Sequence, residues 1–301
     1  MYPGDAEDAE TLIRNADAAM YHAKERGRST FQFFTAELND RAYERLTMEN
    51  HLRGALANGE LTLVYQPLIS LNSGCIEGAE ALLRWRSPVL GEVPPDQFIP
   101  VAEQSGLIVE IGDWVIDAAC RQRAQRHECG IDKLSLAVNV SAVQFWRGHL
   151  DQTVREALER WKVEPHCLEF ELTESVIMQD AEAARQVLAN LKRLGVGLVI
   201  DDFGTGYSSL SYLKQFKIDL LKFDRSFVRD VATDPDDAAI VSAILSMASD
   251  LRIRVVAEGV ETEHQLEFLR SRGCHFGQGF LFDRPLAPDR FLERLRRDSA
   301  L

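Results

Sequence analysis

Cysteine is scarce in this sequence and scattered: Cys75, Cys120, Cys129, Cys167 and Cys274 make five in 301 residues, with no CxxC pair. An odd, dispersed set offers no disulfide framework and points to a reducing, cytosolic compartment. Long apolar runs are also missing. The longest stretch without a charge, Leu61 to Ile76, contains Thr62, Gln66, Pro67, Ser70 and Asn72, which makes it a poor membrane span. No signal peptide precedes it, which leaves open a membrane anchor upstream in a longer protein. Basic charge is the third shortage: 34 Lys and Arg stand against 47 Asp and Glu, a net charge of −13. That balance argues against non-specific binding to nucleic acid polymers or anionic membranes. A small anionic ligand is still open to it, because bound metal ions would reverse the local sign.

Apolar residues, 46% of the chain, are plentiful enough to exclude intrinsic disorder. The length fits either two domains or one α/β barrel of roughly 250 residues. At the amino terminus, 5–26 reads as a helix with Leu12, Ile13, Ala16, Ala19 and Met20 on one face. Gly27 follows as a stop and 30–34 as a short strand-like run. Residues 1–35 are too little chain to close a core of their own. A second, charged helical stretch over 36–58 (Arg41, Glu44, Arg45, Glu49, Arg53) reads as a connector.

From residue 59 onward the pattern changes. Eight short β-like runs appear, at 61–70, 75–85, 134–141, 167–174, 197–203, 219–224, 253–259 and 276–282. Helical stretches over 112–126, 151–161, 181–194, 236–250, 261–270 and 288–297 separate most of them. Strands interleaved with helices predict an α/β fold, a TIM-like (β/α)8 barrel. Only Leu71-Asn72-Ser73-Gly74 joins the first run to the second, and a parallel crossover needs a dozen residues or more. The first strand is therefore expected to be antiparallel.

Barrel chemistry sits at the C-terminal ends of the strands. The second run offers Glu80 and Arg84, the third Asn139, and the fourth Glu171 and Glu174. The fifth ends in Asp201-Asp202, the sixth carries Lys222 and Asp224, the seventh Glu258 and Glu261, and the eighth Gln278. Taken singly these are ordinary: a strand-end Glu is usually a solvated cap, Asn139 a turn residue, Arg84 a surface partner. Together they are not, since two carboxylates about 4 Å apart repel by roughly 4 kcal/mol at an effective dielectric near 20. Cations would offset that repulsion. Glu80, Asn139, Glu171, Asp201 and Asp202 are all oxygen donors, which suits Mg²⁺ or Mn²⁺ rather than zinc or copper. Adjacent Asp201 and Asp202 can serve two ions, with Asp201 shared, in the arrangement that cleaves phosphodiesters.

The motifs resemble those of a known family. Glu80-Ala81-Leu82 is the signature tripeptide of EAL-domain proteins, bacterial cyclic-di-GMP phosphodiesterases. It is followed in order by Asn139 in Val-Asn-Val-Ser, by Glu171-Leu-Thr-Glu174, and by Asp201-Asp202-Phe-Gly-Thr-Gly-Tyr-Ser-Ser. Leu221-Lys222-Phe-Asp224-Arg-Ser-Phe, Ala257-Glu258-Gly-Val-Glu261-Thr and Gly277-Gln278-Gly-Phe complete the series, with Tyr65-Gln66-Pro67 upstream. The likeness covers about 55–298; Phe223, where the family often has Ile, is its small departure.

The resemblance implies a TIM-like barrel with an antiparallel first strand, and hydrolysis of cyclic-di-GMP to linear pGpG. It implies Glu80, Asn139, Glu171 and Asp201 as ligands of one Mg²⁺ or Mn²⁺ ion, and Asp201 and Asp202 as ligands of a second. It makes Lys222 the holder of the attacking water and the phosphate, and Glu258 the acid that orients that water and assists its deprotonation. Glu174, counted with the catalytic set, would anchor the loop after the fifth run. Arg84 would pair with the uncut phosphate and Gln66 and Asp224 would face the nucleotide. Leu82, Glu261 and Gln278 would complete the substrate pocket. In the family, the loop from Phe203 to Gly206 and the helix over 207–215 link the site to a dimer interface, so a homodimer is expected there.

The amino-terminal residues Tyr2-Pro3, Leu12, 16–21, Ala23-Lys24 and Gly27-Arg28 resemble the closing helix of a diguanylate cyclase (GGDEF) domain without its active loop. That implies further GGDEF and sensor domains upstream. Rival readings are a receptor that binds cyclic-di-GMP without cutting it, an enolase-like barrel acting on a carbon acid, and a structural interaction module. A kinase, suggested by Asp202-Phe203-Gly204, lacks the His-Arg-Asp and Gly-rich loops.

Overall fold

The computed structural model describes residues 8–25, 36–128, 134–147, 149–204, 213 and 215–298. Outside them lie Tyr2, Pro3, Gly27, Arg28, the strand-like run 30–34, Cys129, and, at 205–212, the loop and most of the helix expected to carry a dimer contact. By contact density the chain divides into two units, residues 1–61 with 85–107, and residues 62–84 with 108–301.

The first unit holds helices Ala9–Glu25, Ala36–Ala55 and Pro95–Ser105 and the end of a hairpin. Here strand β2 (Ile76–Ser87) pairs antiparallel with the short β3 (Gly91–Val93), Trp85 opposite Val93. Trp85 is buried edge-on against Phe98, ring centroids 5.6 Å apart, and its indole N–H donates to Glu60 Oε2 at 3.0 Å. A buried indole with its one donor satisfied anchors this small core. Sequence pattern missed helix Pro95–Ser105, because Pro100 inside it reads as a breaker. Pro95 sits at its start, where a missing N–H is harmless.

The second unit is a barrel. Its other strands are β1 (Leu61–Ser70), β4 (Ser135–Asn139), β5 (Leu168–Thr173), β6 (Gly197–Phe203), β7 (Leu220–Phe223), β8 (Arg254–Ala257) and β9 (Phe276–Gly277). The order β1-β9-β8-β7-β6-β5-β4-β2 closes on itself through β1–β2. All neighbours from β2 round to β9 run parallel, and β1 is antiparallel to β9. The four-residue link thus does what its length requires, and the TIM-like barrel with one reversed strand is what the sequence led us to expect.

Leu68, Val199, Leu220, Val256 and Phe276 fill the barrel as an apolar layer. Alternation along each strand turns the other face outward, where Phe170, Leu172, Leu198 and Ile200 are buried, as are Ala184, Leu188 and Leu191 of helix Ala181–Leu194. The helices start where sequence supplies caps. Asp180 accepts from the Ala183 amide, Asp234 from Asp236, and Thr262 and Gln265 form a reciprocal capping box. The last strand is shorter than its apolar run suggests. Past Gly277 the chain bends so closely over Val260 that a Cβ on Gly279 would overlap the Val260 carbonyl. The Val260 amide donates to Gln278 O and Leu281 N to Val260 O, both at 3.0 Å.

Among the described residues, Cys75, Cys120, Cys167 and Cys274 are all free. Burial pushes the Cys120 and Cys274 thiols up to about 12, leaving them inert. Among the described residues no helix is long and apolar enough to cross a membrane. The carboxy-terminal helix Pro288–Asp298 seals the barrel by stacking Phe291, 0% exposed, on Tyr65 of β1 at 5.5 Å. Phe291→Ala should therefore lose about 3–5 kcal/mol of unfolding free energy, read from the shift in a urea midpoint at unchanged slope.

Candidate active site

The strand registers set the depth of every site residue. Glu80 of β2 lies opposite Ala137 of β4, Asn139 opposite Glu171 of β5, Thr173 opposite Asp201 of β6, and Lys222 of β7 opposite Val256. These pairings lift Glu80, Asn139, Glu171, Asp201 and Lys222 to one mouth. Glu258 follows directly on β8, held by its amide to Phe223 O at 3.4 Å.

Lys222, 1% exposed, is the hub. Its ammonium lies 2.6 Å from Glu258 Oε1, 2.9 Å from Glu171 Oε2, 3.0 Å from Glu80 Oε2 and 3.7 Å from Asp201 Oδ1. Glu80 is bound on both oxygens: Asn139 Nδ2 donates to Oε1 at 2.7 Å, and Gln278 Nε2 donates to Oε2 at 2.9 Å.

Burial opposes the charge on Lys222, but Glu171, Glu80, Glu258 and Asp201 hold its pKa well above the ordinary lysine value. Burial likewise works to raise Glu80, yet Lys222, Gln278 and Asn139 hold it below the usual carboxylate range. Glu171 goes the other way: burial and the Glu80 charge push it well up against the pull of Lys222. Burial takes Glu258 up to about 7, opposed by Lys222 and reinforced by Asp201 and Glu80. Asp202 is raised by burial and by Asp201. One cation among so many carboxylates satisfies some and leaves the rest with displaced titrations.

Neighbouring residues of a regular strand point to opposite faces, so Asp201 and Asp202 could not both serve one site. The β6–β7 pairing shifts register between Ile200 and Phe203, and Asp202 takes a left-handed backbone, φ 54°. This bulge turns both aspartates inward. Carboxylate oxygens of Asp201, Asp202 and Glu258 fall within 4.8 Å of one another. An all-oxygen donor set closing round a point charge, with Lys222 already in the position of a cation, fits hard divalent ions such as Mg²⁺ or Mn²⁺.

The remaining expected residues divide. Glu174, 2% exposed, accepts the Gly204 amide at 3.1 Å, tying the segment after β6 to the helix Glu174–Gln179. Gln66, Glu261 and Gln278 line an open cavity of about 280 Å³ beside Glu80, Asp201 and Glu258. Arg84 is half-buried; burial draws its pKa down while Glu80 holds it up. Leu82 lies between Glu80 and Arg84 on the same strand face, half-buried, with no bond to the acidic cluster. Asp224 caps the helix Arg225–Arg229 by accepting from Ser226 N at 2.9 Å.

Apart from Gly259 and Gly279, two cavity side chains escaped the sequence reading. Arg225 and Phe280 both line the same space. Phe280 is 50% exposed, with the Arg284 guanidinium 4.1 Å over its ring. Their positions directly after Asp224 and Gln278-Gly279 were the available signal.

The EAL domain family model matches residues 49–285. Pseudomonas aeruginosa MucR, a bifunctional diguanylate cyclase/cyclic di-GMP phosphodiesterase, is 49% identical over 97% of this chain and 43% of its own length. The cyclic di-GMP phosphodiesterase NbdA of the same organism is 45% identical over 100% of this chain and 39% of its own length. This chain thus spans less than half of those curated relatives. Among solved structures, a PaMucR phosphodiesterase in complex with c-di-GMP superposes with a TM-score of 0.79 and 48% identity, covering 81% of this chain and 99% of that one.

The raised Glu258 carboxyl carries a pH signature in the metal-free chain. Its folded pKa of about 7 exceeds the ordinary 4.5, so the folded state keeps a proton the unfolded chain has released. Its contribution to stability is complete below about 4.5 and lost as pH rises through about 7. Thermal melts in EDTA from pH 5 to 8 should fall with rising pH, and Glu258→Gln should flatten that slope.

Proposed function

The chain belongs to the EAL-domain family, and from that premise we propose that it hydrolyses cyclic-di-GMP to linear pGpG in bacterial second-messenger signalling. The observation that carries this reading is the ring of Glu80, Glu171, Asp201 and Glu258 around Lys222, with Asp202 beside it, at one mouth of the barrel. Glu80, Asn139, Glu171 and Asp201 would hold one Mg²⁺ or Mn²⁺ ion, and Asp201 with Asp202 a second. Such ions supply Lewis-acid polarisation of the phosphoryl oxygen, a lowered pKa for the attacking water, and charge neutralisation.

The chain's own groups do the rest. Glu258, whose carboxylate lies within 4.8 Å of those of Asp201 and Asp202, would take the proton from that water. The Lys222 ammonium would hold the water against the phosphate as the P–O3′ bond breaks, leaving a 5′-phosphate and a free 3′-hydroxyl. Arg84 would pair with the phosphate that stays intact. Gln66, Leu82, Asp224, Glu261 and Gln278 would line the nucleotide pocket, and Glu174 would fix the loop through Gly204.

The wider assignments follow the same reading. The EAL domain would span 59–301, 36–58 would be a connector and 1–35 the tail of a GGDEF-like domain, with sensor and cyclase modules upstream in the full-length protein; contact density groups 36–58 with 85–107. The partner in a homodimer is a second copy meeting this one through the loop and helix after β6. The compartment is the cytoplasm.

Purified chain with Mg²⁺ or Mn²⁺ should release pGpG from cyclic-di-GMP, followed by chromatography. Glu80→Ala and Asp201→Asn should each lower kcat about 100-fold or more. Arg84→Ala should act mainly on KM. Replacing Mg²⁺ by Ca²⁺ should abolish turnover, because its longer bonds and variable coordination spoil the spacing of a two-ion site. Tight cyclic-di-GMP binding with no cleavage in either metal would leave a receptor instead.

A further inference from the structure

Lys222 has three N–H donors and spends all three on the carboxylates expected to bind metal or activate water, Glu80, Glu171 and Glu258, at 2.6–3.0 Å. The three acceptors come from β2, β5 and the segment after β8, so one side chain of β7 ties separate parts of the ring together. Glu80 has no unused oxygen: Lys222 and Gln278 share Oε2, and Oε1 takes the Asn139 amide nitrogen. Lys222 holds one oxygen each of Glu80 and Glu171, Oε2 in both, so an ion drawn to these carboxylates would share them with a buried positive charge that repels it.

We infer that Lys222 is the site's internal placeholder for metal: its ammonium holds the carboxylates of Glu80, Glu171 and Glu258 together in the metal-free chain and competes with the first divalent ion for them. This rests on the metal-site reading above. Loading becomes an exchange, in which the ammonium gives up its hold on Glu80 and Glu171. The ring stays assembled when metal is scarce, and the lysine sets how readily metal enters.

A merely structural lysine and a placeholder differ in sign. If Lys222 only braces the barrel, its loss weakens both metal-free stability and metal binding. If it stands in for metal, its loss weakens the first and strengthens the second. The test compares wild type, Lys222→Met and Lys222→Gln for melting temperature in EDTA and for Mn²⁺ affinity, from the paramagnetic resonance signal of free Mn²⁺. Both variants should melt lower than wild type in EDTA and bind Mn²⁺ at least about tenfold more tightly, since a competing charge has gone. Mn²⁺ should then raise their melting temperature more than it raises that of wild type. If Lys222→Met is unfolded in EDTA, recovery of its near-ultraviolet dichroism with Mn²⁺ supports the inference. Mn²⁺ affinity equal to or weaker than wild type in a folded variant overturns it, as does failure of both variants to fold with Mn²⁺ present. Turnover of cyclic-di-GMP is not part of the readout, so a failure of the hydrolytic reading alone leaves the affinity comparison to decide. A wild-type chain that binds no Mn²⁺ overturns this inference together with the metal site.

Discussion

A buried ammonium surrounded by carboxylates organises this barrel. Lys222 is 1% exposed, and its desolvation would be prohibitive without Glu80, Glu171 and Glu258 in hydrogen-bond range. The reverse holds too: burial and Glu80 push the Glu171 carboxyl well up, and it is Lys222 that pulls it back toward the charged form. Neither party is stable there alone, so the strands that bear them must close to a common depth. The parallel registers from β2 round to β8 deliver that depth, and the apolar layer of Val199, Leu220, Val256 and Phe276 below excludes the water that would otherwise screen the charges.

Much of this was legible in the sequence because it depends on period and position. The eight runs and most helices follow from alternation and caps, and the reversed strand follows from a link too short for any other connection. The acids at successive strand ends identify the mouth because barrel topology assigns those ends to one face. Features set by tertiary geometry were not legible. No pattern announces that Asp202 adopts φ 54°, which decides whether two adjacent aspartates can share a site. Nor does Asn139 alone reveal that its amide lies 2.7 Å from a Glu80 oxygen, across two strands. Helix Pro95–Ser105 hid behind its internal proline, and Phe280 looked like the continuation of a strand that ends at Gly277.

The two ends of the barrel handle buried acids differently. On β5, Glu169 and Glu171 share a face, two residues apart. Glu169 meets Arg254 at 3.6 Å, and the facing Gly197 leaves room for it: a Cβ there would lie 2.7 Å from Glu169 Cγ. Burial raises its pKa, with Arg254 opposing. A single arginine partner, 47% exposed, lets solvent share that charge at the floor. At the mouth the partner is sealed in, and the acids must answer to one another.

The bulge in β6 has a consequence for how such a chain can diverge. Because the kink lies between Ile200 and Phe203, it is the spacing along that segment that orients Asp201 and Asp202, while neighbouring apolar identities matter mainly for volume. Adding or deleting one residue there would rotate an aspartate out of the mouth and invert the inside–outside order of the strand. The segment is therefore tolerant in spelling and rigid in length. Drift in this lineage should accumulate there as conservative exchanges and almost never as gaps.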